Sequence, residues 1–227
     1  MNSPSGILVI DKPKSMTSHD VVDIVRRLFN TRRVGHAGTL DPIATGVLVV
    51  LVGEATGRSR HLSGQDKEYA AVMRLGVTTD TADAFGKVID SSDTQGIGAE
   101  EIREAIMSFK GEIEQVPPMF SAVKFKGKSL YKWARKGVTV HREPRRVIIK
   151  ELSVKSADPP DVAFDVVCSK GTYIRQLCAD IGLKLGCGAH MSKLKRIRSG
   201  DFHISQAIGL HRLGSMEAGE LRGILRV

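Results

Sequence analysis

A run of six aliphatic residues between two glycines constrains the fold of this chain more than any other feature. The run (VLVVLV, residues 47–52) follows Gly46 and ends at Gly53. It is far shorter than the roughly 20 apolar residues that a membrane-spanning helix needs. Valine is β-branched and favours strands, so residues 45–53 are predicted to form a buried strand.

Around this strand, the apolar patterns indicate strands and helices without the regular rhythm of a βαβ fold. Thr17 or Ser18 is a candidate cap for a helix with Val21 and Val25 on its apolar face. Residues 34–42 are predicted to form a loop, and alternation predicts a strand over residues 67–76. The other predicted strands are residues 6–11, 145–156 and 162–169, and the other predicted helices are residues 54–64, 99–109, 129–136 and 173–185. The fold class is therefore α+β, with a mixed or mostly antiparallel sheet.

The chain of 227 residues has room for one large domain or two small ones. Because no linker rich in proline, glycine or serine divides it, residues 1–209 are predicted to form one domain. Residues 210–227 are expected to be a short C-terminal extension without a core of its own. The N-terminal residues carry no basic side chain before the first predicted strand, so we expect no signal peptide and a cytoplasmic location.

Lysine and arginine outnumber aspartate and glutamate by 34 to 25, which gives a formal net charge of +9. This excess favours a polyanionic partner, of which nucleic acid is the commonest. Several basic residues are interleaved with aromatic ones, and these side chains can contact phosphates and stack on unpaired bases. We expect an RNA-binding face from Phe120, Phe125, Tyr131 and Trp133 with Lys124, Lys126, Lys128, Lys132, Arg135, Lys136, Arg142, Arg145, Arg146, Lys193, Lys195, Arg196 and Arg198.

Cys168, Cys178, Cys187 and His190 could in principle bind zinc, but the gaps of about ten residues between the cysteines do not match known zinc motifs. An odd number of cysteines without an export signal argues against disulfides. Cys168 and Cys178 fall within a predicted strand and a predicted helix, where small buried apolar residues are expected. No metal site is therefore predicted.

The densest group of turn-forming and polar residues is the segment 35–48 (GHAGTLDPIATGVL). Asp41 lies within it, directly before Pro42, and the proline favours an extended backbone that can present the carboxylate outward. Loops on a rigid scaffold are a usual place for catalytic groups. A carboxylate that merely caps a backbone amide in a turn is the alternative at this point.

Arg175 lies in a second polar segment, residues 169–177 (SKGTYIRQL), near the start of a predicted helix. A cation gains nothing from the dipole at a helix N-terminus, so a carboxylate or phosphate partner is the more informative interpretation. A solvated arginine on the helix surface is the alternative.

Together these segments resemble the TruB family of pseudouridine synthases. The matching segments follow the family's order over about residues 6–200, namely residues 6–13, 35–48, 67–69, 79–86, 116–124, 171–175 and 188–191. The resemblance implies a catalytic domain over residues 1–209 with the pseudouridine synthase fold, a long, mixed, mostly antiparallel sheet flanked by helices.

The resemblance further implies an isomerase that flips uridine 55 out of the T-arm loop of tRNA and converts it to pseudouridine. Asp41 would be the essential carboxylate, acting on the sugar C1′, on the base or through glycal formation. Because the uracil is detached and rejoined through C5, no cofactor or metal is required.

Other residues match family positions with implied roles. Arg175 matches the arginine that favours the ionised carboxylate. Tyr69 matches the tyrosine that stacks on the target base and helps to remove the C5 proton. His36 matches the residue that fills the space left by the flipped nucleotide. The remaining substrate-binding positions implied by the resemblance are Lys12, Tyr173 and Leu194.

The chain also departs from the family pattern. Family members often have a lysine after Glu54-Ala55-Thr56, where this chain has Gly57 and Arg58, so Arg58 or Arg60 is expected to make a phosphate contact. Bacterial members usually continue into a PUA-type RNA-binding domain, for which 227 residues leave no room. We therefore expect weaker or more salt-sensitive tRNA binding.

The expected partner is tRNA, bound by a monomer without a membrane or a protein partner. Two alternatives stay open from the sequence: a tRNA-binding or tRNA-folding module without turnover, and a synthase that acts on another RNA.

Overall fold

A computed structural model describes residues 3–226. Its strands are β1 (Gly6–Lys12), β2 (Val34–His36), β3 (Thr45–Val52), β4 (Lys67–Leu75), β5 (Val77–Thr79), β6 (Val88–Ser91), β7 (Gly111–Gln115), β8 (Lys124–Phe125), β9 (Lys128–Ser129), β10 (Arg145–Asp158), β11 (Asp161–Cys168), β12 (Ala189–Ser199), β13 (Phe202–His203) and β14 (Ile208–Gly209). Its α-helices are α1 (Ser18–Leu28), α2 (Ser59–Ser63), α3 (Ala99–Met107), α4 (Leu130–Ala134), α5 (Ile174–Lys184), α6 (Leu210–Gly214) and α7 (Ala218–Gly223). Short 3-10 helices span Gly53–Arg58 and Ile204–Gln206.

Two compact units share these elements. The first contains the residues up to Tyr69 and those from Leu194 onward, and the second is Ala70–Lys193. Both units contain strands and helices, so the predicted α+β class is confirmed.

The first unit is built on the strand order β14-β1-β3-β12, with β2 also paired to β3. β1 and β2 run antiparallel to β3, whereas β14 is parallel to β1 and β12 is parallel to β3. The aliphatic run in β3 is fully buried, as its composition predicts. Residues of β3 share a hydrophobic core cluster with Ile7 and Val9 of β1. Ala55 and Leu62, from the helical turns after β3, belong to the same cluster.

The second unit has the strand order β4-β11-β10-β7, and β10 is antiparallel to both of its neighbours. Helix α3 buries Ile102, Ala105 and Ile106, and helix α5 buries Leu177, Cys178 and Ile181. The predicted burial of Cys168 and Cys178 is confirmed. Across both units antiparallel pairs predominate, which confirms the predicted mixed, mostly antiparallel pairing.

The predicted strands and helices agree with the structure to within a few residues, but one predicted loop differs and several elements were not predicted. The loop predicted for residues 34–42 begins with the short strand β2, which pairs with β3. The segment over residues 189–199 was not predicted as a strand, but it forms β12.

The end of the chain packs within the first unit. Leu213 and Leu221 are buried, and the backbones of Ile7 and Arg226 exchange two hydrogen bonds of 2.8 and 3.0 Å. Helix α6 begins at Leu210, directly after the short strand β14. The C-terminal segment therefore adds to an existing core, and its separation as an extension at residue 210 stays a prediction.

Candidate active site

Asp41 lies on a loop between β2 and β3, and residues 37–44 are called the Asp41 loop below. The main-chain carbonyl of Asp41 accepts a hydrogen bond of 3.0 Å from the amide of Ala44, which closes a turn. The carbonyl of Pro42 accepts another of 2.8 Å from the amide of Ser15. Leu40 and Ala44 are buried on either side, while Asp41 itself is half-buried. The loop is therefore closed by a turn that begins at Asp41 and is bonded to Ser15 at Pro42, which restrains the backbone that carries the carboxylate.

The side chain of Ser18 holds the residue directly before Asp41. The Ser18 hydroxyl donates to the Leu40 carbonyl at 3.1 Å and accepts from the Leu40 amide at 2.8 Å. Of the two candidate caps for α1, Thr17 is the actual one, and it forms a capping box with Asp20. The Ser18 hydroxyl therefore does not cap α1 and instead forms hydrogen bonds with the backbone of the Asp41 loop.

Arg196 holds the same loop from β12. Its Nε donates to the Val47 carbonyl at 2.6 Å, and its two terminal nitrogens donate to the carbonyls of Thr39 and Gly38 at 3.2 Å each. The side chain is 1% exposed. Its assignment to the RNA-binding face is therefore wrong, because a buried guanidinium cannot contact phosphates at the surface.

Lys12, at the end of β1, is completely buried and donates to the carbonyls of Pro13 and Met16 at 2.8 and 2.7 Å. Burial lowers the pKa of Lys12 to about 8, an effect that the nearby charge of Asp41 opposes and that of Arg196 reinforces. The attraction between the ammonium of Lys12 and the carboxylate of Asp41 is mutual and favours the charged form of each.

Three further predicted site residues belong to the first unit. His36, on β2, has a lowered pKa, mainly because of burial and then because of the charges of Arg196 and His19. Tyr69 is 8% exposed on β4. Leu194 is buried on β12, and its carbonyl accepts a hydrogen bond of 3.5 Å from the Thr45 hydroxyl.

Tyr173 and Arg175 belong to the second unit, at the N-terminus of α5. The guanidinium of Arg175 donates to the carbonyls of Phe120 and Thr81 at 2.6 and 3.4 Å and lies 5.7 Å from the centre of the Tyr173 ring. Arg175 is 4% exposed, which excludes the alternative of a solvated surface arginine.

Gln115 holds the backbone of Tyr173 from both sides. Its amide nitrogen donates to the Tyr173 carbonyl at 3.1 Å, and its amide oxygen accepts from the Tyr173 N–H at 2.8 Å. The side chain is 2% exposed. Gln115 was not predicted from the sequence, since a glutamine two residues before a pair of prolines carries no recognisable signal.

Ser18 and Arg196 were also missed as parts of the site, although one signal was available. If residues 193–196 are taken as a strand, Leu194 and Arg196 lie on one face because side chains alternate. Burial alternates accordingly, with Lys193 and Lys195 exposed and Leu194 and Arg196 buried.

A group of basic and aromatic residues around α4 does lie at the surface, as predicted. We call Lys128, Lys132, Trp133 and Lys136, which line one shallow cavity, the lysine cluster. The Lys128 ammonium is 5.7 Å from the Trp133 ring, and Arg135 is 5.1 Å from the Tyr131 ring. The lysine cluster therefore combines three ammonium groups with the indole ring of Trp133.

Residues 3–226 contain neither a candidate metal site nor a membrane-spanning helix. In this range no group of three or more histidine, cysteine, aspartate or glutamate side chains is placed to hold a metal ion. Nor does any helix within these residues have the length and apolar character needed to cross a bilayer.

Comparison with known proteins identifies the family. Residues 26–174 match the model of the TruB family pseudouridylate synthase N-terminal domain, and residues 175–226 match that of the tRNA pseudouridylate synthase B C-terminal domain. Curated tRNA pseudouridine synthases B from Syntrophotalea carbinolica and Geotalea uraniireducens are 50% and 51% identical over 93% and 95% of this chain, which covers 69% and 71% of their lengths.

Solved structures agree in fold. A Cbf5-Nop10-Gar1 complex matches with a TM-score of 0.74 and 34% identity over 97% of this chain, and an H/ACA RNP bound to a substrate RNA matches with a TM-score of 0.70 and 31% identity over 97%. This chain covers only 59% and 58% of those two matched chains. With two matching family models and relatives at half identity, the chain belongs to the TruB family of tRNA pseudouridine synthases, enzymes that isomerise uridine to pseudouridine in tRNA.

Proposed function

We propose that this enzyme acts on uridine 55 in the T-arm loop of tRNA and that Asp41 is its catalytic carboxylate. The observation that carries the proposal is the placement of Asp41, on a loop anchored by backbone hydrogen bonds, with the buried ammonium of Lys12 nearby. A catalytic carboxylate must be ionised to act as a nucleophile or base, and a neighbouring cation favours that form.

The proposed reaction breaks the bond between the sugar C1′ and the uracil N1, turns the uracil, and joins C1′ to C5. The proton on C5 leaves and N1 gains one, so the product is an isomer of the substrate. Asp41 acts by attack on C1′, by attack on the base or by assisting glycal formation. Because all bonds are exchanged within one nucleotide, the chemistry calls for no redox or group-transfer cofactor.

We assign Lys12 and Arg175 to electrostatic support of this reaction. Lys12 supplies a positive charge to Asp41, and with a pKa of about 8 it is mostly protonated at neutral pH. Arg175 is a buried guanidinium, held by two carbonyls and the Tyr173 ring, which suits a group that stays fixed while charge develops.

The remaining positions are proposed to handle the flipped nucleotide. Tyr69 would stack on the target base and help to remove the C5 proton, while Tyr173 and Leu194 would line the base pocket. His36 would occupy the space that the base leaves, and its lowered pKa favours a neutral ring at pH 7. Extrusion of the base costs a few kcal/mol, which contacts of this kind offset.

We propose that the lysine cluster contributes to tRNA affinity, because ammonium groups beside a partly exposed aromatic ring suit phosphates next to unpaired bases. The enzyme is proposed to work as a cytoplasmic monomer that needs no protein partner. The similarity to chains from RNP complexes does not alter this proposal, because the relatives at half identity are named as tRNA enzymes.

The test is a carbodiimide and primer-extension assay on an unmodified tRNA transcript, with the native protein and the Asp41→Asn variant. We expect a reverse-transcription stop for pseudouridine at position 55 with the native protein alone. Equal tRNA binding by both proteins would show that the variant is folded. A stop at another uridine would refute the proposed position, and modification by Asp41→Asn would refute the role of Asp41.

A further inference from the structure

We propose that Ser18 and Arg196 are positioning residues that fix the Asp41 carboxylate for the reaction, an inference that rests on the proposed role of Asp41. Neither side chain is assigned to contact the substrate. Both act on the backbone of the Asp41 loop and of the strand that follows it.

Ser18 and Arg196 bind different backbone groups around Asp41. Arg196 binds the carbonyls of Gly38 and Thr39 before Asp41 and that of Val47 after it. Ser18 binds both backbone groups of Leu40, the residue adjacent to Asp41. The backbone on both sides of the carboxylate is therefore held by side chains from two other elements, α1 and β12.

The burial of Arg196 indicates a task beyond packing. Arg196 is 1% exposed, and the acceptors of its hydrogen bonds of 2.6 to 3.2 Å are the backbone carbonyls of Val47, Thr39 and Gly38 rather than a carboxylate. A buried cation without a carboxylate partner is costly, and an apolar side chain of similar volume would often stabilise a fold as well or better. What an apolar residue cannot provide is a planar fork of donors that reaches three carbonyls at once.

Catalysis by a carboxylate depends steeply on its position. A displacement of about 1 Å at a reacting group can reduce a rate by about 100-fold, even when the altered residue does not touch the substrate. Loss of the contacts at Leu40, or at Gly38 and Thr39, removes direct restraints on the residues that precede Asp41. The chemical step should therefore slow while tRNA binding, which uses other surfaces, is unchanged.

The experiment measures single-turnover rates with enzyme in excess over tRNA that carries tritium at the C5 atoms of its uridines, alongside tRNA dissociation constants from filter binding. The variants are Ser18→Ala, Arg196→Lys and Arg196→Met, with Asp41→Asn as the inactive reference. Ser199→Ala is the matched control, because Ser199 is a buried serine on β12 outside the contacts of the loop. Circular dichroism confirms that each protein is folded at the assay temperature.

We expect the release of tritium to slow by about 10- to 100-fold for Ser18→Ala and for both Arg196 variants, with dissociation constants within about 2-fold of the native value. Arg196→Lys keeps the charge but not the fork, so a rate as low as that of Arg196→Met would assign the effect to geometry. Ser199→Ala should react at the native rate. If an Arg196 variant fails to fold, Ser18→Ala decides alone.

Native rates for Ser18→Ala and Arg196→Lys would overturn the positioning role, as would a loss of rate fully explained by weaker tRNA binding. Failure of the underlying proposal has a different signature. In that case Asp41→Asn would itself release tritium, whatever the Ser18 and Arg196 variants do.

Discussion

A β-carbon at Gly46 would lie only 2.3 Å from the carbonyl oxygen of Arg196. The two residues are partners in the parallel pairing of β3 with β12. Gly46 also has φ of +96°, a conformation that other residues rarely adopt. The absence of a side chain at Gly46 is thus what lets the strand that carries Arg196 approach the end of the Asp41 loop.

Replacement of Gly46 by alanine should therefore destabilise the protein by at least about 2 kcal/mol, because the strained φ and the contact with backbone atoms add to each other. Urea denaturation monitored by circular dichroism measures the free energy of unfolding. The control is Gly57→Ala, where a β-carbon meets no atom within 4 Å. A native midpoint for Gly46→Ala would contradict the close approach of the strands.

The low pKa of Lys12 predicts a pH-dependent stability. Between about 8, its pKa in the folded protein, and 10.5, its ordinary value, the unfolded chain binds more protons, so stability rises with pH. Relative to Lys12→Met, which cannot titrate, the native free energy of unfolding should rise by up to about 3 kcal/mol across this window. Below about pH 8 the difference between the two proteins should become constant.

Thermal and urea unfolding from pH 7 to 10.5 measures this difference. Lys195→Met serves as the control, since Lys195 is an exposed lysine on β12. Its unfolding free energy should follow the native curve throughout. Parallel curves for the native protein and Lys12→Met would show that the Lys12 ammonium is not destabilised by burial.

Gln115 is predicted to stabilise the start of α5 through the backbone of Tyr173. Gln115→Ala leaves a donor and an acceptor of Tyr173 without their partners, which should cost about 1–3 kcal/mol in unfolding free energy. Gln115→Glu keeps the acceptor but loses the donor, so its cost should also exceed about 1 kcal/mol. Urea denaturation gives both values, and an unchanged midpoint for Gln115→Ala would rule out a stabilising role for the paired hydrogen bonds.

The lysine cluster is predicted to contribute to the salt dependence of tRNA binding. Each phosphate contact that is lost should reduce the slope of log affinity against log salt concentration by about 0.7–0.9. Replacement of Lys128, Lys132 and Lys136 by alanine should therefore lower the slope by about 2. Filter binding between low and moderate salt measures it. A matched triple variant at the exposed residues Lys87, Lys110 and Lys155 should retain the native slope, and equal slopes for both variants would refute a specific role of the cluster.

Patterns within single elements could be predicted from the sequence because they depend on local periodicity. The alternation that placed Tyr69 on an apolar face is matched by its burial on β4, and the cap of α1 is one of the two residues proposed. The short strand β2 escaped prediction because Gly35 interrupts a run of only three residues, whose pairing with β3 is a tertiary property.

For Asp41, whose own side chain would carry the chemistry, the sequence predicts a catalytic role, and that role stays a prediction. The sequence does not predict contacts in which a side chain binds the backbone of a distant segment. Arg196 lies among basic residues that suggest a solvated face. Alternation places it on the same face as Leu194, but its carbonyl partners on another segment follow only from the pairing of β12 with β3. Ser18 resembles a helix cap in sequence, and nothing local indicates that its partner is Leu40.

The hydrogen bonds of Arg196 join residues that are far apart in the order of synthesis, because Arg196 follows Val47 by 149 positions and Thr39 by 157. When the Asp41 loop leaves the ribosome, most of the chain has still to be translated. Strand β12, which carries Arg196, emerges only near the end. A nascent protein can therefore carry Asp41 long before the side chain of Arg196 restrains the Asp41 loop. The geometry around Asp41 is thus set only when synthesis of the chain is nearly complete.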